Sequence, residues 1–457
     1  MNLQKTTTKP KENIMASMPI PKLLITISLP IAISMLIQAL YNIIDSIFVA
    51  QLEEDALTAV SLTYPMQMLI IAVAVGTGVG MNALISRFLG AKKLNEANVI
   101  ARNALFLAVI NGIIFATIGL LFSDIFYTSQ TSNQVVINYG SSYMRIVSAV
   151  SMGVFFQITF ERYMQATGQT LFSMVSQLVG AIINIILDPI LIFGLLGFPR
   201  LEVAGAAVAT VIGQWSGALV GFIFVRKFSN AIDINMKGFR PDKKAILSIY
   251  KIGFPAIIMQ SLASIMSFSM NSILLMFNTT AIAVFGIYIK LQSFIFMPIY
   301  GLTNGLIPII GFNYGSGQKQ RIIKAFKLAT FIAVGVMFIG TLAFCMLPVP
   351  LLKMFDASDE LMSIGIIALR VMSLSFPFAG FSLICCSLYQ ALGNSVHSLI
   401  ISLARQLVIL IPAAYILALT GGLNYVWISV PIAEFISLII CIFITKHTFK
   451  TKLTQLD

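Results

Sequence analysis

Three carboxylates stand where a carboxylate is expensive. Of the 17 acidic residues in the chain, Asp45, Asp188 and Glu434 lie clearly inside long apolar runs, and nearly all the others fall in polar connections or tails. A charge at the centre of a hydrocarbon layer costs roughly 3 kcal/mol on insertion scales, so one kept there is expected to have a use. Gln38, Tyr41, Asn42 and Asp45 follow one another at i, i+3, i+4 and i+7, which is one stripe of a helix. Asn184 and Asp188 are i and i+4, again one face, and Pro189 follows at once. Proline donates no backbone hydrogen bond and so frees a carbonyl in the turn before it. Two carboxylates with amide and phenol neighbours, and no Lys or Arg near them in sequence, suit H⁺ or Na⁺, which favour hard oxygen ligands. A carboxyl group withdrawn from water also holds a proton more readily. The plainer role for such groups is to tie helices together, as Asn and Gln do in membranes. That role weighs most for Glu434, because Lys290 and Arg405 in the same half are available to pair with it. Arg145 and Arg370 sit close to the ends of apolar runs and are expected to snorkel to the interface.

The elements that position these residues follow from composition. The 457 residues are 58% hydrophobic and only 10% charged, against about 25% charged in soluble domains. A chain with so little polar surface needs lipid as its solvent, and lipid admits only helices or closed barrels. Barrel strands alternate in polarity over about ten residues, whereas residues 330–347 and 392–419 are continuously apolar, a helical length. Hydropathy and breakers predict twelve spans, near 22–50, 58–84, 99–122, 137–160, 170–196 and 204–226, then 247–276, 282–310, 324–347, 362–387, 395–419 and 424–446. With both termini on one side, 23 of the 29 Lys and Arg residues fall in or beside connections on that side. Only Arg200 and Lys353 fall in connections on the other. This asymmetry predicts cytoplasmic termini and accounts for the net charge of +12 without nucleic acid. The four cysteines lie in apolar stretches without metal-ligand spacing and read as small core residues.

The halves repeat. Pro30 in "LPIAIS" and Pro255 in "FPAIIM" are 255 − 30 = 225 residues apart. The same offset pairs Gly76, Gly80 and Gly90 with Gly301, Gly305 and Gly315. It pairs Arg145 in "MRIVS" with Arg370 in "LRVMS", and "MQATG" at 164–168 with "YQALG" at 389–393. An even number of spans lies within the offset, so both halves enter from the same side as parallel repeats, an organisation that suits two bundles rocking about a central cavity. The glycines form small-xxx-small patterns suited to close helix packing. The expected fold is therefore an all-α polytopic membrane protein of twelve helices in two parallel six-helix repeats. The divisions are a tail at 1–21, an N-lobe at 22–226, a linker at 227–246, a C-lobe at 247–446 and a tail at 447–457.

The segments "LPIAISMLIQALYNIIDSIFVAQL" (29–52) and "NIILDPILIFG" (184–194), with the doubled "QATG"/"QALG" turns, resemble the multidrug and toxic compound extrusion (MATE) family. The likeness runs over all but the tails and is greatest to its DinF/MepA-like branch. It implies a V-shaped pair of lobes in a bacterial or archaeal plasma membrane, and antiport of drugs or organic cations against H⁺ or Na⁺. It also implies a cation site on Asp45, Asn184, Asp188 and Thr210, with Tyr41 in support; these four would be the metal ligands if Na⁺ is the ion. NorM-type members carry a carboxylate in span 7, where this chain has "FPAIIMQSLAS" with Gln260 as the nearest polar residue. A C-lobe polar site would therefore rest on Gln260, Lys290 and Glu434. No residue is assigned a catalytic role, and no cofactor other than the coupling ion and no partner protein is implied. A lipid-linked oligosaccharide flippase of the same superfamily would need several cations on its cavity. An intramembrane aspartyl protease would need a Gly-x-Gly-Asp sequence, which is absent.

Overall fold

In lipid each segment has to satisfy its own backbone N–H and C=O groups, and the long apolar runs do so as helices. The computed structural model describes residues 13–228, 231–355 and 357–456, and every regular element among them is helical. The first half comprises α1 (Ile20–Ala50), α2 (Glu54–Gly90), α3 (Leu94–Gln130), α4 (Gln134–Ala149), α5 (Met152–Ala166), α6 (Thr170–Phe193) and α7 (Glu202–Phe228). The second comprises α8 (Lys243–Leu274), α9 (Thr279–Gly315), α10 (Lys319–Met346), α11 (Asp359–Ser373), α12 (Phe376–Ala391), α13 (Ser395–Gly421) and α14 (Ser429–Thr448). The pairs α4–α5 and α11–α12 are each one span bent by 45°, which gives twelve crossings. The bends, at Val150–Ser151 and Leu374–Ser375, lie 374 − 150 = 224 residues apart, within one residue of the repeat. Long apolar side chains such as Leu121, Ile125, Phe268, Phe331 and Phe338 point outward and are more than half exposed, as a lipid-facing belt requires.

Span 4 extends further than hydropathy indicates. Its second helix continues to Ala166 and stops where Gly168 adopts φ +83°. There the Gln169 N–H donates to the Met164 carbonyl (2.7 Å) and the Gly168 N–H to that of Gln165 (3.0 Å), a Schellman closure. The second repeat ends α12 in the same way, with Gly393 at φ +80° and Asn394 N–H donating to Tyr389 O at 2.7 Å. Glu161 and Arg162, which hydropathy leaves in a loop, therefore belong to α5.

The repeat seen in the sequence is a contact symmetry in space. A Cβ on Gly90 would strike the Phe312 carbonyl oxygen, and one on Gly315 would strike that of Arg87. Phe312 is Arg87 plus 225, so the two contacts are mates. Gly76 abuts Ile257 as Gly301 abuts Ala32, and Gly80 lies against Gly253 as Gly305 lies against Ser28. Thus α2 of one lobe packs on α8 and α9 of the other, and α9 packs on α1 and α2. The contacts run from the middle of α2 and α9 to their C-terminal ends. At that membrane face a short helix at Ile14–Ser17 bridges the lobes: Ile14 covers Gly168, and Arg321 of α10 donates to the carbonyls of Met15 (2.9 Å) and Met18 (2.8 Å). The linker between the lobes is tied to α3. Arg102 pairs with Asp233 at 2.5 Å, and Asn103 Oδ1 accepts the Asp242 N–H at 2.9 Å. The Asn235 N–H, followed by Arg102, holds the Asp233 carboxyl below the usual carboxylate range.

Backbone approach this close leaves no room for a methyl group. Gly90→Ala and Gly315→Ala should each destabilise the protein by roughly 1–3 kcal/mol, lowering the melting temperature in detergent by several degrees. Gly286→Ala and Gly335→Ala, where a Cβ would meet nothing within 4 Å, should leave it unchanged or slightly raised. A Gly90→Ala protein that melts with the wild type would refute the contact.

Candidate functional site

The N-lobe site is assembled by three helices. α6 and α7 cross where Gly180 faces Gly213: a Cβ on Gly213 would lie 2.7 Å from the Gly180 carbonyl oxygen and 3.0 Å from Asn184 Cβ. That close approach brings Thr210 of α7 against Asn184 of α6. The Asn184 amide nitrogen donates to Asp188 Oδ1 (3.2 Å) and to Thr210 Oγ1 (3.4 Å). From α1, the Asp45 carboxyl comes beside that of Asp188. Asp188 is fully buried and Asn184 nearly so. Asp45 Oδ1, Asp188 Oδ2 and Asn184 Oδ1 are all buried and have no hydrogen-bond donor. Three unsatisfied oxygens in one place cost free energy unless a proton or a cation completes them. The donor set is oxygen only, which suits Na⁺ and, at the carboxylates, H⁺.

The sequence-predicted residues divide cleanly. Asp45, Asn184, Asp188 and Thr210 come together. Tyr41, Asn184 and Thr210 form part of the wall of a central cavity of about 510 Å³ between the lobes, with the two carboxylates just behind them. Gln38 is also on that wall and accepts a hydrogen bond from Gln177 at 3.0 Å. Asn42 departs from the expected stripe: it is exposed, outside the cavity lining, and only its carbonyl is engaged, by Ser46 Oγ at 2.9 Å. At 100° per residue the stripe drifts, and Asn42 falls on its outer edge. Arg145 pairs with Asp124 and Arg370 donates to the Cys345 carbonyl (3.1 Å), both at partly exposed helix ends. Three cysteines are buried and Cys345 is half-buried.

The expected C-lobe site is not one cluster. Gln260 lines the cavity. Lys290 is exposed on α9 and absent from the lining. Glu434 pairs instead with Arg405, Nη1 to Oε1 at 3.3 Å. The repeat mates of Gln38, Tyr41 and Asp45 are Ala263, Met266 and Met270 (each plus 225), so the N-lobe oxygen cluster has no counterpart on span 7.

Two charged residues escaped the sequence reading. Glu161 and Arg162 both line the cavity. Glu161 Oε1 accepts from Gln157 Nε2 at 3.1 Å. Arg162 donates to Gln165 Oε1 (2.9 Å) and, across the lobe boundary, to Asn304 Oδ1 (2.8 Å). The signal that could have found them was Gly168, the positive-φ glycine that marks the true helix end. Tyr143 was missed as well: it is buried beside Asp45 and Asp188 and accepts from Gln67 Nε2 at 2.9 Å. A single buried tyrosine in an apolar run gives no periodic signal.

Comparison with known proteins places the fold. The MatE family model matches twice, at residues 30–190 and 255–416, once in each half. A relative named multidrug export protein MepA, from Staphylococcus haemolyticus (strain JCSC1435), is 30% identical over 442 residues, covering 95% of this chain and 94% of that protein. The protein of the same name from Staphylococcus aureus (strain MRSA252) is 30% identical over 424 residues, 91% of each chain. A solved structure, described as the outward-facing conformation of a multidrug resistance MATE family transporter of the MOP superfamily, superposes with a TM-score of 0.90. It is 25% identical and covers 98% of this chain and 99% of that one.

The Arg162–Asn304 bond joins the lobes at the cavity and is testable by itself. In a double-mutant cycle read by thermal unfolding, Arg162→Ala and Asn304→Ala should couple by about 1.5–3 kcal/mol, the range for hydrogen bonds to charged groups. Strict additivity would show that the bond does not hold the lobes.

Proposed function

The chain belongs to the MatE family of membrane transporters, and from that premise we propose that it exports cationic or amphipathic small molecules in exchange for H⁺ or Na⁺. The observation that carries this reading is the set of three buried, unpartnered oxygens on Asp45, Asp188 and Asn184, set just behind the wall of a cavity shared by both lobes. Family members are transporters and not enzymes, so the two aspartates are not a hydrolytic dyad.

The exchange follows from electrostatics. Two adjoining carboxylates in a low-dielectric setting repel strongly when both are ionised. A proton shared between them, or Na⁺ among the four oxygen ligands, relieves the repulsion and cancels the charge that holds an organic cation in the cavity. The coupling ion and the cationic drug therefore compete, and each leaves as the other binds. The positive-inside asymmetry puts the joined ends of α2 and α9 at the cytoplasmic face, so the form described here opens outward. Release of the drug to that side and return of the neutralised N-lobe complete an alternating-access cycle. The names of the staphylococcal relatives support multidrug export, and the outward-facing neighbour supports the orientation. A lipid-linked oligosaccharide would need a cationic cavity for its pyrophosphate, and here Arg162 and Arg405 are offset by Glu161 and by Glu434.

In reconstituted vesicles, ethidium export should follow an imposed pH gradient or an imposed Na⁺ gradient, and whichever drives it names the coupling ion. Asp45→Asn and Asp188→Asn should each abolish the driven transport while keeping a wild-type melting profile. Export at the wild-type rate by Asp45→Asn would end this mechanism.

A further inference from the structure

A second recess, of about 580 Å³, lies at the face where the lobes join, and both lobes build it. Pro19 and Ile20, at the entry to α1, form one side; Ile323, Lys324, Lys327 and Leu328 of α10 form the other. These four share a helix face because they stand three or four residues apart. The charge of the recess is all of one sign. Lys324 and Lys327 are exposed, and neither pairs with a carboxylate among the described residues. Arg321 lines the recess too, and the groups it grips are neutral: the Met15 and Met18 carbonyls and Asn313 Oδ1 at 2.8 Å. No acidic residue stands among the lining residues, so three cations gathered within two turns attract an anion.

Depth in the membrane decides which kind of anion. Lys327 is the last charged residue of α10, and residues 328–346 carry no Asp, Glu, Lys or Arg. At 1.5 Å per residue that stretch is about 28 Å long, close to the roughly 30 Å of a bilayer's hydrocarbon core. Lys327 therefore lies at the boundary where lipid phosphates begin, with Lys324 one turn further out. Ile20, Ile323 and Leu328 give the recess an apolar margin that a fully hydrated anion would leave uncovered. Residues 1–12, which lead into this region, carry three lysines against one glutamate and match the recess poorly in charge.

We propose that this recess binds one anionic glycerophospholipid of the bordering leaflet, a lipid whose phosphodiester carries no compensating amine. The phosphate lies between Lys324 and Lys327, and the glycerol and first methylenes run along Ile20, Ile323 and Leu328. A zwitterionic lipid brings an ammonium group that the three cations repel. Lysines at a membrane face attract anionic lipid in general; the recess adds one fixed place for it. Because its two sides belong to different lobes, the bound lipid touches α1 and α10 together, beside the bonds by which Arg321 holds the short Ile14–Ser17 helix. Occupancy thus adds a contact to the joint between the lobes. The site is separate from the central cavity and does not depend on the efflux reading.

Binding is read by native mass spectrometry of the full chain in detergent, with phosphatidylglycerol and phosphatidylcholine of the same acyl chains added in equal amounts. The wild type should retain phosphatidylglycerol in preference to phosphatidylcholine. Lys324→Gln/Lys327→Gln should weaken phosphatidylglycerol binding by about tenfold or more, each lysine near a membrane surface being worth roughly fivefold. It should leave phosphatidylcholine within about twofold. Lys243→Gln/Lys244→Gln removes two exposed cations where α8 begins, at the same face but outside the recess, and should leave both lipids within about twofold. All four side chains are exposed, so both variants should melt with the wild type when no lipid is added. Phosphatidylglycerol should then raise the melting temperature of the wild type more than that of Lys324→Gln/Lys327→Gln, as a ligand of the folded state does. Equal loss of phosphatidylglycerol in the two double variants would reduce the effect to diffuse surface charge and overturn the proposal, as would no loss in Lys324→Gln/Lys327→Gln. Displacement of the lipid by millimolar inorganic phosphate would make the recess a site for soluble anions and overturn the lipid assignment. A wild type without preference between the two lipids overturns it as well and leaves the recess to another occupant, residues 1–12 or a second copy of the chain. Each of these outcomes leaves the efflux reading where it stands.

Discussion

Contact between the lobes is made by backbone, and the rest of the molecule is arranged around that fact. Where Gly90 meets Phe312 and Gly315 meets Arg87, each Cα approaches the opposite carbonyl more closely than any side chain would permit. In lipid there is no hydrophobic force between helices, so association depends on such close packing and on buried polar contacts. Here the packing is concentrated at one membrane face, with Arg162–Asn304 and the Arg321-bound N-terminal segment added to it. Concentrating the adhesion at one end leaves space for a cavity between the lobes beyond it. An interface of glycines against backbone also presents few interdigitated side chains to be disengaged when it opens.

A symmetric frame carries asymmetric chemistry. The glycine contacts and the QATG/QALG turns obey the 225-residue offset, and the 45° bends match it to within one residue. The charges do not. Asp45 and Tyr41 map onto Met270 and Met266, so the oxygen cluster is confined to one lobe, while the Arg405–Glu434 pair is confined to the other. The structural reason is that symmetry is required only where the two lobes touch each other. The inner walls face the cavity instead of each other, so no such requirement acts on them.

The sequence was most legible where one physical rule acted alone. The span count, the repeat and the shared face of Asn184 and Asp188 were readable, because hydropathy, a constant offset and helical spacing each leave a direct trace; the grouping of Asp45, Asn184, Asp188 and Thr210 was implied by the family resemblance. Boundaries were legible only through capping chemistry, and ignoring Gly168 removed Glu161 and Arg162 from the cavity. Asn42 and Lys290 failed for a different reason. Each has the right residue type on the right helix, yet the face that a residue presents depends on how neighbouring helices pack, which one strand of periodicity does not encode. The π-helical turn at Ala404–Ile409, which carries Arg405, has a sequence cue in Pro412, but its effect on Arg405 depends on where α14 places Glu434.

The polarity of the cavity bears on how a broad range of ligands can be held. Its lining includes Gln38, Gln157, Gln165, Gln177, Gln260 and Gln390, amides that donate or accept by rotating and carry no charge. A wall of carboxylates would bind cations tightly and release them slowly. It would also favour compact, highly charged ions over large organic ones. Setting Asp45 and Asp188 behind Tyr41, Asn184 and Thr210 lets their field reach the cavity through a medium of low dielectric, where Coulomb attraction at a given distance is stronger than in water, without fixing the position of the ligand's charge. In the exchange proposed above, a small coupling ion would enter the oxygen cluster itself and a bulky cation would sense it only from the cavity, so that the two would compete electrostatically while occupying different places.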